Sequence, residues 1–180
     1  ITCIADAMLD STLLVCITGQ VPSGLLGTDA FQETDVVGIS MPITKWNFQV
    51  TKAEEIPDAI ARAFFIAKSG RPGPVLLDIT KDAQFEEFDF AYEQFKQIRS
   101  YTPFPKLDNE SVKQAAELIN KAEKPMILVG QGVLLSGAQQ EFLEFAEKTG
   151  IPVASTLLGL SAFPSNHPLL IAATVSSRLL

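Results

Sequence analysis

Apolar and polar residues follow one another along this chain in blocks that predict an α/β fold. Residues 13–17 form a continuous apolar run, which is typical of a strand buried on both faces of a parallel sheet. Residues 75–79, after the Gly- and Pro-rich turn 70–74, predict a second buried strand. Apolar residues recur at helical spacing before that turn, so a helix precedes the second strand. A helix followed by a buried strand indicates an α/β domain.

The predicted helix carries boundary signals in its own sequence. Thr51 and Glu54 have the spacing of a capping box, and Pro57 falls in the first turn, where its missing N–H does no harm. Lys68 and Gly70 supply the stop. The apolar spacing predicts a buried face made of Ile56, Ile60, Ala63, Phe64 and Ala67.

The second half of the chain repeats this pattern. A helix capped by Asn109 precedes the apolar run 126–129, which predicts a strand. A second helix starts with a capping box of Ser136 and Gln139 and ends before Gly150, and residues 151–155 predict the next strand. The two helices are predicted to bury Val112, Ala115, Ala116 and Ile119 in the first and Phe142, Phe145 and Ala146 in the second. This half is therefore a β-α-β unit preceded by a helix.

Residues 83–108 interrupt the periodic pattern. Acids and aromatics replace it, and residues 101–106 contain two prolines, as in an interdomain linker. A length of 180 residues fits one domain or two small ones, but the repeated helix and strand pattern favours two. We therefore predict parallel sheets flanked by helices in parts of two successive domains, residues 1–82 and 109–180.

Composition and charge exclude several function classes. The chain has 14 Lys and Arg against 21 Asp and Glu, a net charge of -7 that argues against nucleic-acid binding. Its apolar runs are too short to cross a bilayer, and no basic stretch leads into an apolar run, so we expect no secretory signal. Cys3, Cys16 and His167 are too few for a disulfide framework or a zinc site, so we expect a cytoplasmic location. The start at Ile1 suggests a piece of a longer chain.

Two places in the sequence could bind an anion. The turn Gly130–Gln131–Gly132 lies between a strand and a helix, where backbone N–H groups often hold a phosphate, but Leu135 replaces the third glycine of the dinucleotide fingerprint. Many such turns use glycine for geometry alone, so both interpretations stay open. Lys81, beyond the strand 75–79, and Arg71, in a rigid turn, could each contact a carboxylate or phosphate or be ordinary surface residues.

Several segments, taken in order, carry a family resemblance. They are Gly19-Gln20-Val21-Pro22, residues 27–34, Pro42-Ile43-Thr44-Lys45, residues 70–75, residues 78–82, residues 129–132 and residues 150–160. Over residues 1–168 the chain resembles the catalytic large subunits of acetolactate (acetohydroxyacid) synthases. The resemblance implies a transferase that uses thiamine diphosphate, Mg2+ and FAD to decarboxylate pyruvate and join it to a second 2-oxo acid, in branched-chain amino-acid biosynthesis.

The resemblance also implies roles for single residues. Phe31 and Gln32 match residues beside the reacting thiazolium, Lys81 matches a lysine at the substrate channel, and Pro22 and Ala30 match positions where herbicides block that channel. The residues that match FAD contacts are Arg71, Gly130, Gln131, Gly132, Thr156 and Leu157. The glutamate that activates thiamine and the diphosphate and metal ligands are expected outside the chain, so no metal ligand is expected on it.

By the same resemblance, residues 1–82 are the carboxyl-terminal part of a pyrimidine-binding domain, and residues 109–180 are the first part of a central FAD-associated domain. It also implies a homodimer or homotetramer, and a regulatory small subunit as a possible partner. Two other functions stay open. One is another thiamine diphosphate-dependent oxo-acid decarboxylase or oxidase, and the other is a non-catalytic nucleotide-binding module that uses the glycine turn.

Overall fold

The computed structural model describes residues 1–91, 97–99 and 101–173. The chain divides into two compact units, Ile1–Lys106 and Leu107–Leu180. Residues 92–96 and 100 of the predicted linker, and residues 174–180 of the second predicted domain, lie outside the described residues.

Unit 1 is a parallel sheet of three strands with helices between them. Its helices are α1 (Thr2–Leu9), α2 (Val36–Ser40), α3 (Ile56–Lys68) and α4 (Lys81–Phe85), and its strands are β1 (Leu14–Gln20), β2 (Trp46–Val50) and β3 (Pro74–Thr80). The strand order is β1-β3-β2, and both pairs are parallel. Every residue of β3 is buried, which confirms the strand predicted there as buried on both faces.

The helix α3 covers one face of this sheet, but its boundary and its face differ from the prediction. Glu55, rather than Glu54, caps the helical segment, since its carboxylate accepts the backbone N–H groups of Thr51 and Lys52, each at 3.1 Å. The prediction that Phe64 is buried is wrong, because its side chain is 51% exposed. The residues that α3 buries are Ala59, Ala63, Ile66 and Ala67. Small side chains let the helix approach the sheet closely, and the contact line runs beside Phe64 rather than through it.

Unit 2 is a second parallel sheet of three strands. It contains α5 (Asn109–Lys121), β4 (Ile127–Val129), α6 (Gly132–Ser136), α7 (Gln139–Thr149), β5 (Val153–Ser155) and β6 (Leu170–Ala173). The strand β5 lies between β4 and β6. The buried core consists of Val129, Ala146, Val153, Ala162 and Phe163. Both units therefore have the predicted architecture of parallel sheets flanked by helices.

Several details of unit 2 correct the sequence predictions. Asp108, not Asn109, caps α5 by accepting the N–H of Glu110 at 3.1 Å, and α5 buries none of its residues within the described part of the chain. No capping box starts α7, because Ser136 is the last residue of α6 and its hydroxyl donates to a carbonyl of that helix. Phe145, predicted to be buried, is 40% exposed. Within the described ranges, no helix combines the length and apolar character needed to cross a membrane.

Candidate functional site

Two connections leave the same edge of the sheet in unit 1. Gln20, the last residue of β1, is in register with Thr80, the last residue of β3. The segment 21–35, which we name the β1–α2 loop, and the start of α4 therefore emerge next to each other. This carboxyl edge is where open α/β sheets bind ligands. The β1–α2 loop carries Pro22, Ala30, Phe31 and Gln32, and α4 begins at Lys81.

Asp82 joins these two connections. Its carboxylate accepts the backbone N–H of Ser23 at 3.0 and 3.1 Å and also accepts the Ser23 hydroxyl. These hydrogen bonds, the hydroxyl first, lower the pKa of Asp82 well below its ordinary range. The residues next to Pro22 and Lys81 in sequence are thus linked directly, which holds the base of the loop against the start of α4.

The Ser23–Asp82 link is expected to persist down to strongly acidic pH. Because the pKa of Asp82 is lowered on folding, its stabilising effect is present above the ordinary value of 3.8 and is lost only as pH falls through the lower folded-state value. The chemical shift of the Ser23 amide proton, followed from pH 7 downward, should therefore stay constant through the range in which free carboxylates titrate and should change only at lower pH. The variant D82N should show a different, pH-independent shift. A transition centred at or above the ordinary pKa would contradict this prediction.

Phe31 and Gln32 lie at the tip of the β1–α2 loop. The N–H of Glu33 donates to the carbonyl of Ala30 at 2.9 Å, and this bond closes a turn with Phe31 and Gln32 at its two central positions. Gln32 has a φ of 68°, in the left-handed region that non-glycine residues adopt at a cost. The Phe31 side chain is 88% exposed, so the turn presents it outward.

A buried acid that the sequence analysis did not single out supports the root of the loop. Asp78 on β3 is fully buried and accepts hydrogen bonds from Thr18 Oγ1 at 2.8 Å, Gln20 Nε2 at 3.1 Å and Gln49 Nε2 at 3.2 Å. Gln20 also donates to the carbonyl of Thr34 at 2.8 Å. Gln20 thus links Asp78 to the far end of the loop. An acid within the apolar run 75–79 was the sequence signal for this network.

The two basic candidates of unit 1 differ in their surroundings. Lys81 is exposed and makes no hydrogen bond or ion pair with another described residue, so its ammonium is available to an anion. Arg71 donates from Nε to Ser11 Oγ at 2.6 Å and from Nη2 to the carbonyls of Leu9 at 2.9 Å and Met8 at 3.3 Å. Its guanidinium therefore donates hydrogen bonds to the free carbonyl groups at the carboxyl end of α1.

Unit 2 also collects its candidate residues at one sheet edge. Gly130, Gln131 and Gly132 follow β4, and Thr156 and Leu157 follow the neighbouring β5. The N–H of Thr156 donates to the carbonyl of Val129 at 2.9 Å, which ties the two connections together. Leu157 is 68% exposed, and a Cβ added to Gly132 would have no neighbour within 4 Å. These residues form an accessible carboxyl edge of a parallel sheet.

The glycine turn depends on a third glycine, Gly159, to which the sequence analysis gave no role. A Cβ on Gly159 would lie 2.5 Å from the carbonyl oxygen of Val129 and 3.0 Å from Cα of Gly130. The segment after β5 therefore packs backbone to backbone against the turn after β4, and only glycine allows that approach.

His167 has a structural setting. Its Nε2 lies 3.4 Å from a carboxylate oxygen of Glu147, its Nδ1 accepts the N–H of Leu169 at 3.2 Å, and its ring contacts Phe163 at a centroid distance of 4.8 Å. Among the residues that the structure describes, no three His, Cys, Asp or Glu side chains are grouped so that they could hold a metal ion.

Comparison with known proteins places these observations in a family. The family model described as the central domain of thiamine pyrophosphate enzymes matches residues 112–177. The chain is 52% identical over 169 residues to the acetolactate synthase large subunit of Corynebacterium glutamicum, covering 94% of this chain and 27% of that protein. It is 47% identical over 169 residues to the large subunit of acetolactate synthase isozyme 1 of Escherichia coli, covering 94% of this chain and 29% of that protein.

A solved structure is also similar to this chain. A Mycobacterium smegmatis protein assigned as a thiamin diphosphate-dependent enzyme matches with a TM-score of 0.76 and 31% identity, over 94% of this chain and 32% of that one. The chain thus spans between a quarter and a third of the length of these relatives.

Proposed function

We propose that this chain, which is similar over 94% of its length to acetolactate synthase large subunits, forms part of the active site of such an enzyme. The full-length enzyme condenses two pyruvates to 2-acetolactate and CO2, or pyruvate with 2-oxobutyrate, as a thiamine diphosphate-dependent transferase of branched-chain amino-acid biosynthesis. The observation that carries this proposal is the β1–α2 loop beside Lys81 at the carboxyl edge of the sheet, with the family motifs in that loop. The 47 to 52% identity to acetolactate synthases favours this reaction over that of another oxo-acid decarboxylase or oxidase.

Unit 1 is proposed to supply the residues nearest the chemistry. Thiamine diphosphate, when bound, supplies an electron sink for decarboxylation. Phe31 and Gln32, which the loop presents outward, are proposed to contact the thiamine ring and the reacting atoms. Lys81, whose ammonium is exposed and unpaired among the described residues, is proposed to attract the carboxylate of the 2-oxo acid in the substrate channel, which Pro22 and Ala30 line.

Unit 2 is proposed to bind part of FAD. The open edge formed by Gly130, Gln131, Gly132, Thr156 and Leu157 fits a dinucleotide, because backbone N–H groups after two neighbouring strands are accessible there. Arg71 is a weaker candidate for an FAD contact, since its guanidinium already donates to Ser11 and to the end of α1. The ligands of Mg2+ are proposed to lie outside this chain, and among the residues that the structure describes no three His, Cys, Asp or Glu side chains are grouped to hold a metal ion.

The larger assembly follows from the same proposal. The relatives are named large subunits, which implies a smaller subunit beside them, and the family resemblance implies a homodimer or homotetramer. We therefore propose a homo-oligomer with a regulatory small subunit as a further partner, acting on small 2-oxo acids.

Turnover measurements test this function. The full-length enzyme that carries this segment is expected to form acetolactate from pyruvate when supplied with thiamine diphosphate, Mg2+ and FAD, whereas the 180-residue chain alone is expected to form none. The reason is that catalysis needs cofactor and substrate held together in one preorganised site, of which this chain supplies a part.

The product distinguishes the alternatives. Acetaldehyde as the main product of the full-length enzyme would indicate a decarboxylase and contradict the proposal. Acetolactate formed by the 180-residue chain alone would show that the chain holds a complete site, and would equally contradict the partial role proposed here.

A further inference from the structure

The β1–α2 loop owes its shape to one carboxylate that the family motifs do not assign to the reaction. Glu33 accepts the backbone N–H groups of Gly27, Thr28 at 3.2 Å and Ala30 at 3.1 Å. These donors lie within six residues of Glu33, so the carboxylate closes a small ring of backbone around itself. An ionised carboxylate only accepts hydrogen bonds, and its two oxygens have room for all three donors.

The backbone inside this ring is strained. Gly27, Asp29 and Gln32 have φ values of 76°, 56° and 68°, and two of the three carry a side chain that disfavours the left-handed region. Left-handed non-glycine residues persist only where their surroundings hold them, and such strain clusters at functional sites. The hydrogen bonds that converge on Glu33 hold this segment, together with the bond from the N–H of Glu33 to the carbonyl of Ala30 and the bonds from Thr28 to the carbonyl of Leu25.

The electrostatics of Glu33 agree with its geometry. Its pKa is lowered, chiefly by the N–H of Gly27 and further by those of Ala30, Thr28 and Asp29. The ionised form is therefore the one that the loop stabilises, and reciprocally the ionised carboxylate stabilises the loop.

We propose that Glu33 is a positioning residue, whose carboxylate fixes the strained turn of the β1–α2 loop so that Phe31 and Gln32 are presented to the reacting atoms. The inference rests on the function proposed above for Phe31 and Gln32. All three hydrogen bonds of the ring join the Glu33 carboxylate to backbone N–H groups of the loop. A glutamine would replace one acceptor oxygen by an NH2 group, whose hydrogens would face the backbone N–H groups of the loop. The substitution would therefore break the ring without changing side-chain size.

The test compares E33Q with E87Q in the full-length enzyme. Glu87 is an exposed acid of the same unit that makes no hydrogen bond or ion pair with another described residue, so E87Q is a matched loss of one charge. We expect E33Q to lower kcat about 10-fold with KM changed less than about twofold, because misplacing a group beside the reacting atoms acts mainly on the transition state. E87Q should leave both constants unchanged.

A double-mutant cycle separates positioning from general stability. If Glu33 acts through Gln32, the effect of E33Q on kcat should shrink to less than about twofold in a Q32A background. A merely structural role would reduce kcat by the same factor in both backgrounds. The variant E33D, which keeps the charge on a shorter arm, should give an intermediate kcat and provides a second variant if E33Q folds poorly.

Hydrogen exchange at the amides of Gly27, Thr28 and Ala30 tests the ring without reference to any reaction. E33Q should lower their protection about 10-fold, and E87Q should not. Unchanged protection in E33Q overturns the inference, and so does lost protection with unchanged kcat or an additive cycle. If the unsubstituted enzyme forms no acetolactate, the proposed function fails and the positioning role fails with it, while the exchange result still decides whether Glu33 holds the loop.

Discussion

Replacing Asp78 with leucine is expected to destabilise unit 1 by about 3 kcal/mol, because it removes the one acceptor that Thr18, Gln20 and Gln49 share. Gln20 is itself buried, so one N–H of its amide would lose its acceptor where water cannot replace it. The Gln20 side chain would then be held only by the loop backbone, through the carbonyl of Thr34 and the N–H of Val21, and no longer by β3. The loss is therefore expected at the root of the β1–α2 loop as well as in the core.

The measurement is denaturant unfolding followed by tryptophan fluorescence. Trp46 is the only tryptophan of the chain and lies in β2, so its emission reports on unit 1 alone. The midpoint of this transition should fall strongly in D78L at an unchanged slope.

The matched control is D78N, which keeps the size of the side chain. Its oxygen can still accept from Gln20 and Gln49, while its NH2 can donate to the hydroxyl of Thr18, which then reverses its role. The cost should be about 1 kcal/mol, because all three hydrogen bonds are kept but none of them is any longer to a charged group. Equal losses in D78N and D78L would show that charge, rather than the set of acceptors, stabilises this site.

Replacing Gly159 with alanine is expected to destabilise unit 2 by about 2 kcal/mol, as overpacking of a well-packed region does. The added Cβ would meet the carbonyl oxygen of Val129 at 2.5 Å and Cα of Gly130 at 3.0 Å. These are backbone atoms at the end of β4, so no side chain can rotate away to make room. The glycine turn would have to move, and the hydrogen bond from the N–H of Thr156 to the carbonyl of Val129 would lengthen.

Hydrogen exchange in the strands of unit 2 measures this effect. The amides of Val129 and Val153, both buried, should lose protection in G159A. G132A is the control, because nothing lies within 4 Å of its added Cβ, and it should leave protection nearly unchanged. Full protection in G159A would contradict the close packing of this segment against the turn.

Some features were predictable because they depend on neighbouring residues in the chain. The apolar runs that became β3 and β4, the helix ending at Lys68 and the left-handed Gly150 after α7 were all predicted from local patterns. Hydrophobic periodicity and helix caps act over a few residues, so the local sequence carries the information. The error of one position, Glu54 for Glu55, arises because Thr51 and Glu54 fit the capping-box spacing, whereas the helical segment starts one residue later and uses Glu55, three residues after Lys52.

The faces of helices were less predictable than the helices themselves. Phe64 and Phe145 fit an apolar stripe, yet they are 51% and 40% exposed, because the line of contact is chosen by the shape of the opposing sheet. The helix α5 has an apolar stripe and buries none of its residues within the described part of the chain. Periodicity identifies an amphipathic helix but does not say what its apolar face meets.

The sequence by itself determined the α/β class of both halves, the presence of the helices α3, α5 and α7 and of the strands β1, β3, β4 and β5, and, through the order of its motifs, the resemblance to acetolactate synthases. Only the tertiary structure decided that Asp78 is an acceptor for both neighbouring strands, that Gly159 lies against the turn of Gly130, and that Pro22 and Lys81 emerge at one edge. These facts depend on strand register and on backbone approach between segments far apart in the chain. Such contacts form only when the sheet assembles, and no local pattern of residues encodes them.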